Sequence, residues 1–114
     1  MAVGVDIEEI ERFKNKPENF LNRIYTPVEL EYCSKFTNPA PHLAVRFCAK
    51  EAVIKALSAL NINISEYKSI EIFHNENQVP QIKLLNNTNQ NIKFELSLSH
   101  DKTKAIAFVN ANLI

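Results

Sequence analysis

The chain has 114 residues, and its 13 Lys and Arg balance 13 Asp and Glu, so its formal net charge is zero. A hydrophobic content of 46% and a charged content of 23% are typical of a globular protein and exclude disordered, collagen-like and disulfide-scaffold classes. The balanced charge argues against a protein that neutralises many nucleic-acid phosphates. We therefore expect a single domain spanning residues 1–114.

The cysteines and the first residues point to a cytoplasmic protein. Cys33 and Cys48 are isolated, at a spacing that fits neither a zinc site nor a CxxC motif, so we expect reduced, buried thiols. The N-terminal segment lacks a basic region ahead of an apolar run. No stretch approaches the ~18 apolar residues of a membrane span. We expect neither a membrane nor a nucleic-acid partner.

The first predicted element is a short strand over residues 3–7. Apolar and polar residues alternate along it, so one face should be buried, formed by Val3, Val5 and Ile7. Asp6 then points to the opposite side, together with Glu8. The chain has one glycine, Gly4, which excludes a glycine-rich phosphate-binding loop. A phosphorylated ligand would have to be held by side chains, with or without a metal ion.

Three helices are expected next. The first covers residues 17–23. A capping box formed by Thr26 and Glu29 opens the second, which ends near residue 35. Two prolines then break the chain before a long helix over residues 42–60. Apolar residues surround most of this helix, which is typical of burial within a domain or at an interface.

After the long helix the apolar period changes to two. Four strands are predicted, separated by polar turns: 69–73, 79–85, 92–98 and 105–109. Residues 86–91 read as a hairpin turn. One opening strand, then helices, then strands predict an α+β fold with a mostly antiparallel sheet.

Charged residues in a buried helix call for an explanation. Glu51 and Lys55 lie four residues apart, on one face. On spacing alone, the favoured interpretation is a helix-stabilising ion pair worth ~0.2–0.5 kcal/mol. The alternative joins Glu51 and Asp6 in a divalent-metal site, with Lys55 facing an anion. Mg²⁺ prefers one or two carboxylates together with waters and substrate phosphates.

Two catalytic arrangements can be set aside. Ser99, His100 and Asp101 have the residue types of a catalytic triad, but neighbours on a strand cannot form its chain of hydrogen bonds. The sequence also lacks the G-x-S-x-G turn of many serine hydrolases. Cys48, with no histidine nearby in sequence, is expected to be a packed thiol.

Three motifs together are far more specific than any one of them: Gly4-Val5-Asp6-Ile7 with Glu11-Arg12-Phe13, Arg46-Phe47 with Lys50-Glu51-Ala52 and Lys55-Ala56-Leu57, and Leu96-Ser97-Leu98-Ser99-His100. In their order and separation the chain resembles the holo-acyl-carrier-protein synthases, which are small phosphopantetheinyl transferases. The resemblance implies transfer of the 4′-phosphopantetheine arm of coenzyme A to a serine of apo acyl carrier protein. Adenosine 3′,5′-bisphosphate would be released. The setting would be cytoplasmic fatty-acid and lipid biosynthesis.

The resemblance also implies roles for individual residues. Asp6 and Glu51 would hold Mg²⁺, and Lys55 would complete the catalytic set by offsetting charge on the pyrophosphate. Glu51, directly or through a metal-bound water, would take the proton of the attacking serine. Coenzyme A would be contacted by Arg46, Lys55, Ser99 and His100. Arg12 would dock the acidic carrier protein, although a solvated edge explains this basic residue equally well.

The angle between two of these residues favours a shared site. At about 100° per residue, Arg46 lies about 140° around the long helix from Glu51. One compact ligand could hardly touch both from a single subunit, so the angle fits a cleft between subunits of the homotrimer that the resemblance implies. In residues 58–62 and 77–80 the chain lacks glycines that are common in the family, which leaves the shape of those loops open.

Two other functions compete with this one. The first is a non-catalytic coenzyme A or carrier-protein binding module, against which the retained carboxylates and Lys55 argue. The second is a plain structural or oligomerisation domain. That interpretation explains the apolar helix but leaves Asp6, Glu51 and His100 as coincidences. The enzyme should bind coenzyme A more weakly when Mg²⁺ is chelated, whereas a structural domain should not respond to the chelator.

Overall fold

The computed structural model describes residues 1–86 and 91–114. Strand β1 (Ala2–Glu9) is followed by helices and strands in the order α1 (Glu18–Ile24), α2 (Pro27–Ser34), α3 (Ala40–Ala59), β2 (Ile70–His74), β3 (Pro80–Leu84), β4 (Ile92–His100) and β5 (Lys104–Leu113). Short 3₁₀ helices cover Ile10–Phe13 and Tyr67–Ser69. The predicted α+β fold is confirmed. None of the helices described is both long and apolar enough to cross a bilayer.

The strands form two antiparallel sheets instead of one. β5 lies between β1 and β4 in a three-stranded sheet, and β2 pairs with β3 in a separate hairpin. α3 packs across the inner face of the larger sheet, against small buried side chains of β5: Ala105, Ala107 and Val109. The long helix is therefore buried within the domain, as its sequence predicted.

The predicted burial of β1 is wrong in one respect. Asp6 does lie on the face opposite the apolar residues, but those residues point outward, and each is at least half exposed: Val3, Val5 and Ile7. The face that packs on α3 carries Gly4. A Cβ atom at Gly4 would lie 1.9 Å from the carbonyl oxygen of Ala52, so only glycine allows this close approach. Alternation predicts that the two faces differ, but it does not predict which face meets the helix.

The outward residues of β1 continue onto β5. Val5 pairs with Phe108 and Ile7 with Ile106, and both β5 side chains are exposed. We call this surface the outer sheet face: Val3, Val5, Ile7, Ile106 and Phe108. A contiguous exposed apolar patch is typical of an interaction surface.

Helix α3 begins at Ala40, earlier than the predicted residue 42. Pro39 is its N-cap, and Pro41 lies in the first turn. The amide hydrogens of a first turn have no helical partner, so proline is tolerated there. The two prolines therefore lie at the start of the helix, whereas the prediction placed them before it.

Two turns close without a glycine. At the end of α3, Asn61 takes the left-handed conformation with φ 61°. The amide of Ile62 then donates to the carbonyl oxygen of Leu57 at 2.9 Å, which satisfies the end of the helix. In the β2–β3 hairpin Gln78 is left-handed, also with φ 61°. There the Asn75 side chain accepts two backbone amides of the turn.

The predicted later strands are confirmed, with different ends. β5 is the longest, running over Lys104–Leu113 where 105–109 was predicted, because it pairs with a strand on each side. β4 reaches His100, two residues beyond its predicted end. The turn predicted at residues 86–91 falls, over 87–90, outside the described part of the chain.

A buried ion pair joins α2 to α3. The predicted capping box is confirmed, with the Thr26 amide donating to Glu29 Oε1 at 2.8 Å and the Glu29 amide to Thr26 Oγ1 at 3.4 Å. Glu29 also binds Lys50, with Nζ 2.7 Å from Oε1, and accepts the Ile72 amide. Burial lowers the pKa of Lys50, and Glu29 opposes that change. Lys50 Nζ donates further to the carbonyl oxygens of Ile24, Tyr67 and Ile70.

Candidate active site

Asp6 lies where β1 meets α3. Its side chain is only 11% exposed, and Oδ1 lies 3.3 Å from Lys55 Nζ. Lys55 also donates to the carbonyl oxygen of Val5 at 2.9 Å. The other carboxylate oxygen, Oδ2, is buried and has no hydrogen-bond partner among the described residues. A buried carboxylate oxygen without a partner carries a free-energy cost that a bound cation would remove.

Lys55 does not form the helix ion pair that its spacing with Glu51 favoured. Its ammonium reaches across to β1, where it contacts Asp6 and Val5. Glu51 instead accepts a hydrogen bond from Tyr67 Oη, with 2.5 Å between oxygen atoms. Lys55 and Glu51 therefore have different partners: Lys55 contacts Asp6, and Glu51 contacts Tyr67.

Three carboxylates lie close enough to influence one another. The pKa of Glu8 is raised to about 7, first by burial and then by the adjacent carboxylate of Asp6, with a smaller contribution from the charge of Glu51. Arg12, which forms an ion pair with Glu8, opposes this rise. The pKa of Tyr67 is raised to about 12, chiefly by its hydrogen bond to Glu51. The charges of neighbouring carboxylates add to both shifts, after burial for Glu8 and after the hydrogen bond for Tyr67.

The residues present fit a magnesium ion. Within residues 1–86 and 91–114, no group of three or more His, Cys, Asp and Glu side chains is arranged to hold a metal by itself. Mg²⁺ needs only one or two carboxylates when substrate phosphates and waters supply the remaining ligands. The unpartnered Oδ2 of Asp6 and the negative charge around Glu51 meet that requirement.

A second cluster surrounds Arg46, which is 2% exposed. Its guanidinium stacks over the Tyr32 ring at 4.2 Å and donates to the carbonyl oxygen of His42 at 3.0 Å. His74 Nε2 lies 3.5 Å away. Among the described residues, no carboxylate forms an ion pair with Arg46 and no group hydrogen-bonds its Nε. A buried cation without a counter-ion is costly, so an anionic ligand would compensate it.

All three histidines of the chain gather at this cluster. His74 stacks on Tyr32 with ring centroids 4.4 Å apart, and the rings of His42 and His100 meet edge to face at 6.2 Å. Burial first, and then the charge of Arg46, lower the pKa of His42 and His74. Sequence reasoning identified Arg46 and His100 but missed His42 and His74. His42 lies one helical turn before Arg46 on α3, whereas the proximity of His74 depends on the packing of the β2–β3 hairpin.

Ser99 does not join this cluster within one subunit. It is exposed and pairs with Ile106, so it lies on the outward side of the three-stranded sheet. His100, the next residue, points to the other side. The Asp101 side chain accepts backbone amides of Thr103 and Lys104 in the β4–β5 turn. These contacts agree with the exclusion of a catalytic triad.

Arg12 borders a groove beside Tyr67. The groove encloses about 170 Å³, and apart from Arg12 and Lys16 its walls are aromatic or aliphatic: Phe13, Phe20, Ile24, Phe47 and Tyr67. Arg12 is largely exposed even though it pairs with Glu8. A basic rim around an apolar floor suits an acidic amphipathic partner.

Cys48 has no catalytic character. Its thiol is fully buried and donates to the carbonyl oxygen of Ala105 at 3.3 Å. Burial raises the pKa of Cys48 to about 12. The thiol is therefore protonated at neutral pH, as expected for a packed cysteine.

Comparisons with known proteins identify the family of this chain. The sequence model of the 4′-phosphopantetheinyl transferase superfamily matches residues 2–109. A holo-[acyl-carrier-protein] synthase of Thermodesulfovibrio yellowstonii is 42% identical over 115 residues and covers 95% of each chain. The Chronobacterium ammoniagenes ACPS–CoA complex has the same fold, with a TM-score of 0.85 at 24% identity over 99% of this chain and 97% of that one.

A further solved structure is a holo-(acyl-carrier-protein) synthase from Bacillus anthracis in complex with CoA (3′,5′-ADP). It is 28% identical to this chain, with a TM-score of 0.78, and the match covers 98% of this chain and 94% of that one. The family match covers nearly the whole sequence, including every motif that predicted it. The chain belongs to the 4′-phosphopantetheinyl transferase superfamily of enzymes.

Proposed function

We propose that this protein transfers the 4′-phosphopantetheine arm of coenzyme A to a serine hydroxyl of apo acyl carrier protein, with Mg²⁺, and releases adenosine 3′,5′-bisphosphate. The observation that carries the proposal is a pair of incompletely balanced charges beside α3: the carboxylates of Asp6 on β1 and Glu51 on α3 at one site, and the guanidinium of Arg46 at the other. Family membership and a relative crystallised with coenzyme A support this choice of ligand.

Asp6 and Glu51 would hold the magnesium ion. When bound, Mg²⁺ neutralises and polarises the pyrophosphate of coenzyme A. Lys55 adds a positive point charge on the same side, beside Asp6. Transfer of a phosphoryl-type group depends mainly on such positioning and charge stabilisation, so no covalent help from the protein is required.

The reaction replaces one phosphorus–oxygen bond by another. The serine oxygen attacks the phosphorus that carries the pantetheine arm, and the bond to the bridging oxygen of the pyrophosphate breaks. Adenosine 3′,5′-bisphosphate leaves with that oxygen. Glu51 would accept the serine proton as a general base, directly or through a water molecule.

Arg46 and His100 would bind the 3′-phosphate of coenzyme A. The planar guanidinium matches two phosphate oxygens at once. Support comes from the burial of Arg46 without a carboxylate partner and from the histidine rings beside it. Ser99 would contact coenzyme A from the outward side of the sheet.

We further propose a homotrimer with its coenzyme A clefts between subunits. The outer sheet face supports it, because its five apolar side chains are exposed in the described part of the chain, and an exposed apolar patch is typical of an interaction surface. Sedimentation velocity of the wild type should give a trimer, and Phe108→Glu should give inactive monomers. Mixed trimers of Asp6→Asn and Arg46→Met subunits should recover activity, because one cleft would then be intact. A strictly monomeric, active enzyme contradicts this assembly.

The carrier protein would dock at the groove beside Tyr67, with Arg12 meeting acidic side chains of the partner. The basic rim and apolar floor of the groove support this placement. We place the reaction in the cytoplasm, in a transferase domain spanning residues 1–114 that serves fatty-acid synthesis. The two free, buried cysteines agree with a reducing compartment.

Intact-protein mass spectrometry of apo acyl carrier protein tests the reaction. After incubation with coenzyme A and Mg²⁺, the wild type should add the mass of one phosphopantetheine arm, and Glu51→Gln should not. Glu31→Gln, an exposed change on α2, is the matched control and should behave as the wild type. If the wild type binds coenzyme A with Mg²⁺ but modifies no carrier protein, the non-catalytic binding module is the better account.

A further inference from the structure

Tyr67 makes the one hydrogen bond that the Glu51 side chain receives from the described residues. Its hydroxyl donates to Oε1 across 2.5 Å, a short distance typical of a strong, charge-assisted hydrogen bond. The bond occupies one carboxylate oxygen and leaves the other, Oε2, without a hydrogen-bond donor among the described residues. A glutamate side chain has three rotatable bonds, so an unrestrained Glu51 would sample several orientations.

The ring that carries this hydroxyl is itself held in place. It packs against Phe47 with ring centroids 5.3 Å apart, and Phe47 packs against Phe13. The backbone carbonyl oxygen of Tyr67 accepts a hydrogen bond from Lys50 Nζ at 3.0 Å. Lys50 is fixed in turn by its buried ion pair with Glu29. The position of the hydroxyl is therefore set by the core and not by Glu51.

The negative charges near Glu51 explain why its hydrogen bond from Tyr67 matters. Asp6 and Glu8 both carry carboxylates near it, and repulsion between them would turn Glu51 away from Asp6 in the absence of a metal ion. A donor fixed in the core opposes that movement. Groups that hydrogen-bond to metal ligands in this way orient them and raise metal affinity.

We infer that Tyr67 is a positioning residue, which holds Glu51 in the orientation that binds the magnesium ion together with Asp6. The inference rests on the proposed function, because it takes Glu51 as a metal ligand. It also gives a role to the Tyr67 hydroxyl, which reaches Glu51 while the Tyr67 ring lines the groove at Arg12.

Tyr67→Phe tests the inference, because it removes only the hydroxyl and keeps the ring packed on Phe47. Binding of Mn²⁺, measured by electron paramagnetic resonance in the presence of coenzyme A, should weaken about 10- to 100-fold. The Mg²⁺ concentration for half-maximal activity should rise by a similar factor, and activity should recover at saturating Mg²⁺. Tyr25→Phe is the matched control, since it deletes a buried hydroxyl that bonds to the Leu43 carbonyl oxygen. Its metal affinity should equal that of the wild type.

Three results would overturn the inference, and they separate it from the proposed function. If Tyr67→Phe binds Mn²⁺ as the wild type does while Glu51→Gln does not, Tyr67 has no positioning role and the proposed function stands. If Tyr25→Phe loses as much metal affinity as Tyr67→Phe, the hydroxyl acts through general stability only. If the wild type binds no Mn²⁺ with coenzyme A, the inference and the magnesium-dependent function both fail.

Discussion

The two charged regions beside α3 have opposite signs, and the described residues balance neither of them completely. At Glu51, the buried carboxylates of Asp6 and Glu8 concentrate negative charge, and one Asp6 oxygen has no donor among the described residues. At Arg46, a buried guanidinium is surrounded by aromatic and histidine rings without a carboxylate from the described chain. One site therefore suits a cation and the other an anion. The magnesium complex of a ligand with several phosphates provides both.

The ion pair of Glu29 and Lys50 differs from these two regions, because its charges are fully matched. It is equally buried, yet the ammonium has a carboxylate and three carbonyl oxygens as partners. This pair stabilises the fold and also holds the backbone of Tyr67. Its charges are fully matched, whereas those of Asp6 and Arg46 are matched only in part, which marks the candidate functional sites.

Removing the matched charge should have the largest effect. Lys50→Met leaves Glu29 buried and unpaired, and we expect the free energy of unfolding to fall by about 3–5 kcal/mol. Urea denaturation followed by circular dichroism measures it. The double variant Glu29→Gln with Lys50→Met should recover part of the loss. Equal stability of Lys50→Met and wild type would show that the pair is not a structural tie.

Removing the carboxylate of Asp6, which is only partly balanced, should lower activity and not stability. We expect Asp6→Asn to lower the transfer rate at least ~100-fold, because a metal ligand is lost. The free energy of unfolding should stay equal or rise, because a crowded buried charge disappears. Glu9→Gln, on the same strand, is the control and should retain activity. A fully active Asp6→Asn enzyme would remove Asp6 from the metal site.

In the positively charged region, Arg46→Met should weaken the binding of the 3′-phosphate of coenzyme A and of no other part of the ligand. Hydrogen bonds to charged groups are worth ~1.5–3 kcal/mol, so the affinity for coenzyme A should fall about 10- to 100-fold. Coenzyme A without its 3′-phosphate should bind the variant and the wild type equally, in calorimetric titrations. An equal loss for both ligands would mean that Arg46 contacts another part of coenzyme A.

The smallest expected effect is on the pH dependence of stability. The raised pKa of Glu8 favours the folded state at low pH, and this contribution is lost as pH rises from 4.5 through about 7. The lowered pKa values of His42 and His74 act in the other direction, so their contribution is lost as pH falls below 6.5. Glu8→Gln should therefore lose stability more steeply than the wild type between pH 7 and pH 5. The control Glu11→Gln should keep the wild-type slope in thermal melts, and an unchanged slope for Glu8→Gln would contradict the assigned pKa.

Much of the fold could be predicted from local sequence. The capping box of Thr26 and Glu29, the apolar long helix and the alternating strands each depend on residues close in the chain. The order of the three motifs predicted the family. The structure places the Asp6 carboxylate beside Lys55, and the roles that the resemblance implied for both residues stay predictions.

The remaining features depend on packing that no local pattern encodes. The exposure of Val3, Val5 and Ile7 follows from the close approach of Gly4 to α3, which strand alternation cannot reveal. Tyr67 reaches Glu51 from a 3₁₀ helix after the end of α3, and its sequence position gives no sign of that contact. His74 joins Arg46 only because the β2–β3 hairpin folds back onto α2 and α3.

Calorimetric titration of the wild type tests the account most directly, with coenzyme A and with its form lacking the 3′-phosphate, each in Mg²⁺ and in chelator. The account predicts that chelating the metal weakens binding and that removing the 3′-phosphate weakens it again, because the two charged regions bind different parts of one ligand. Equal affinity in all four titrations would contradict it, since neither the carboxylates near Glu51 nor the guanidinium of Arg46 would then be balanced by coenzyme A.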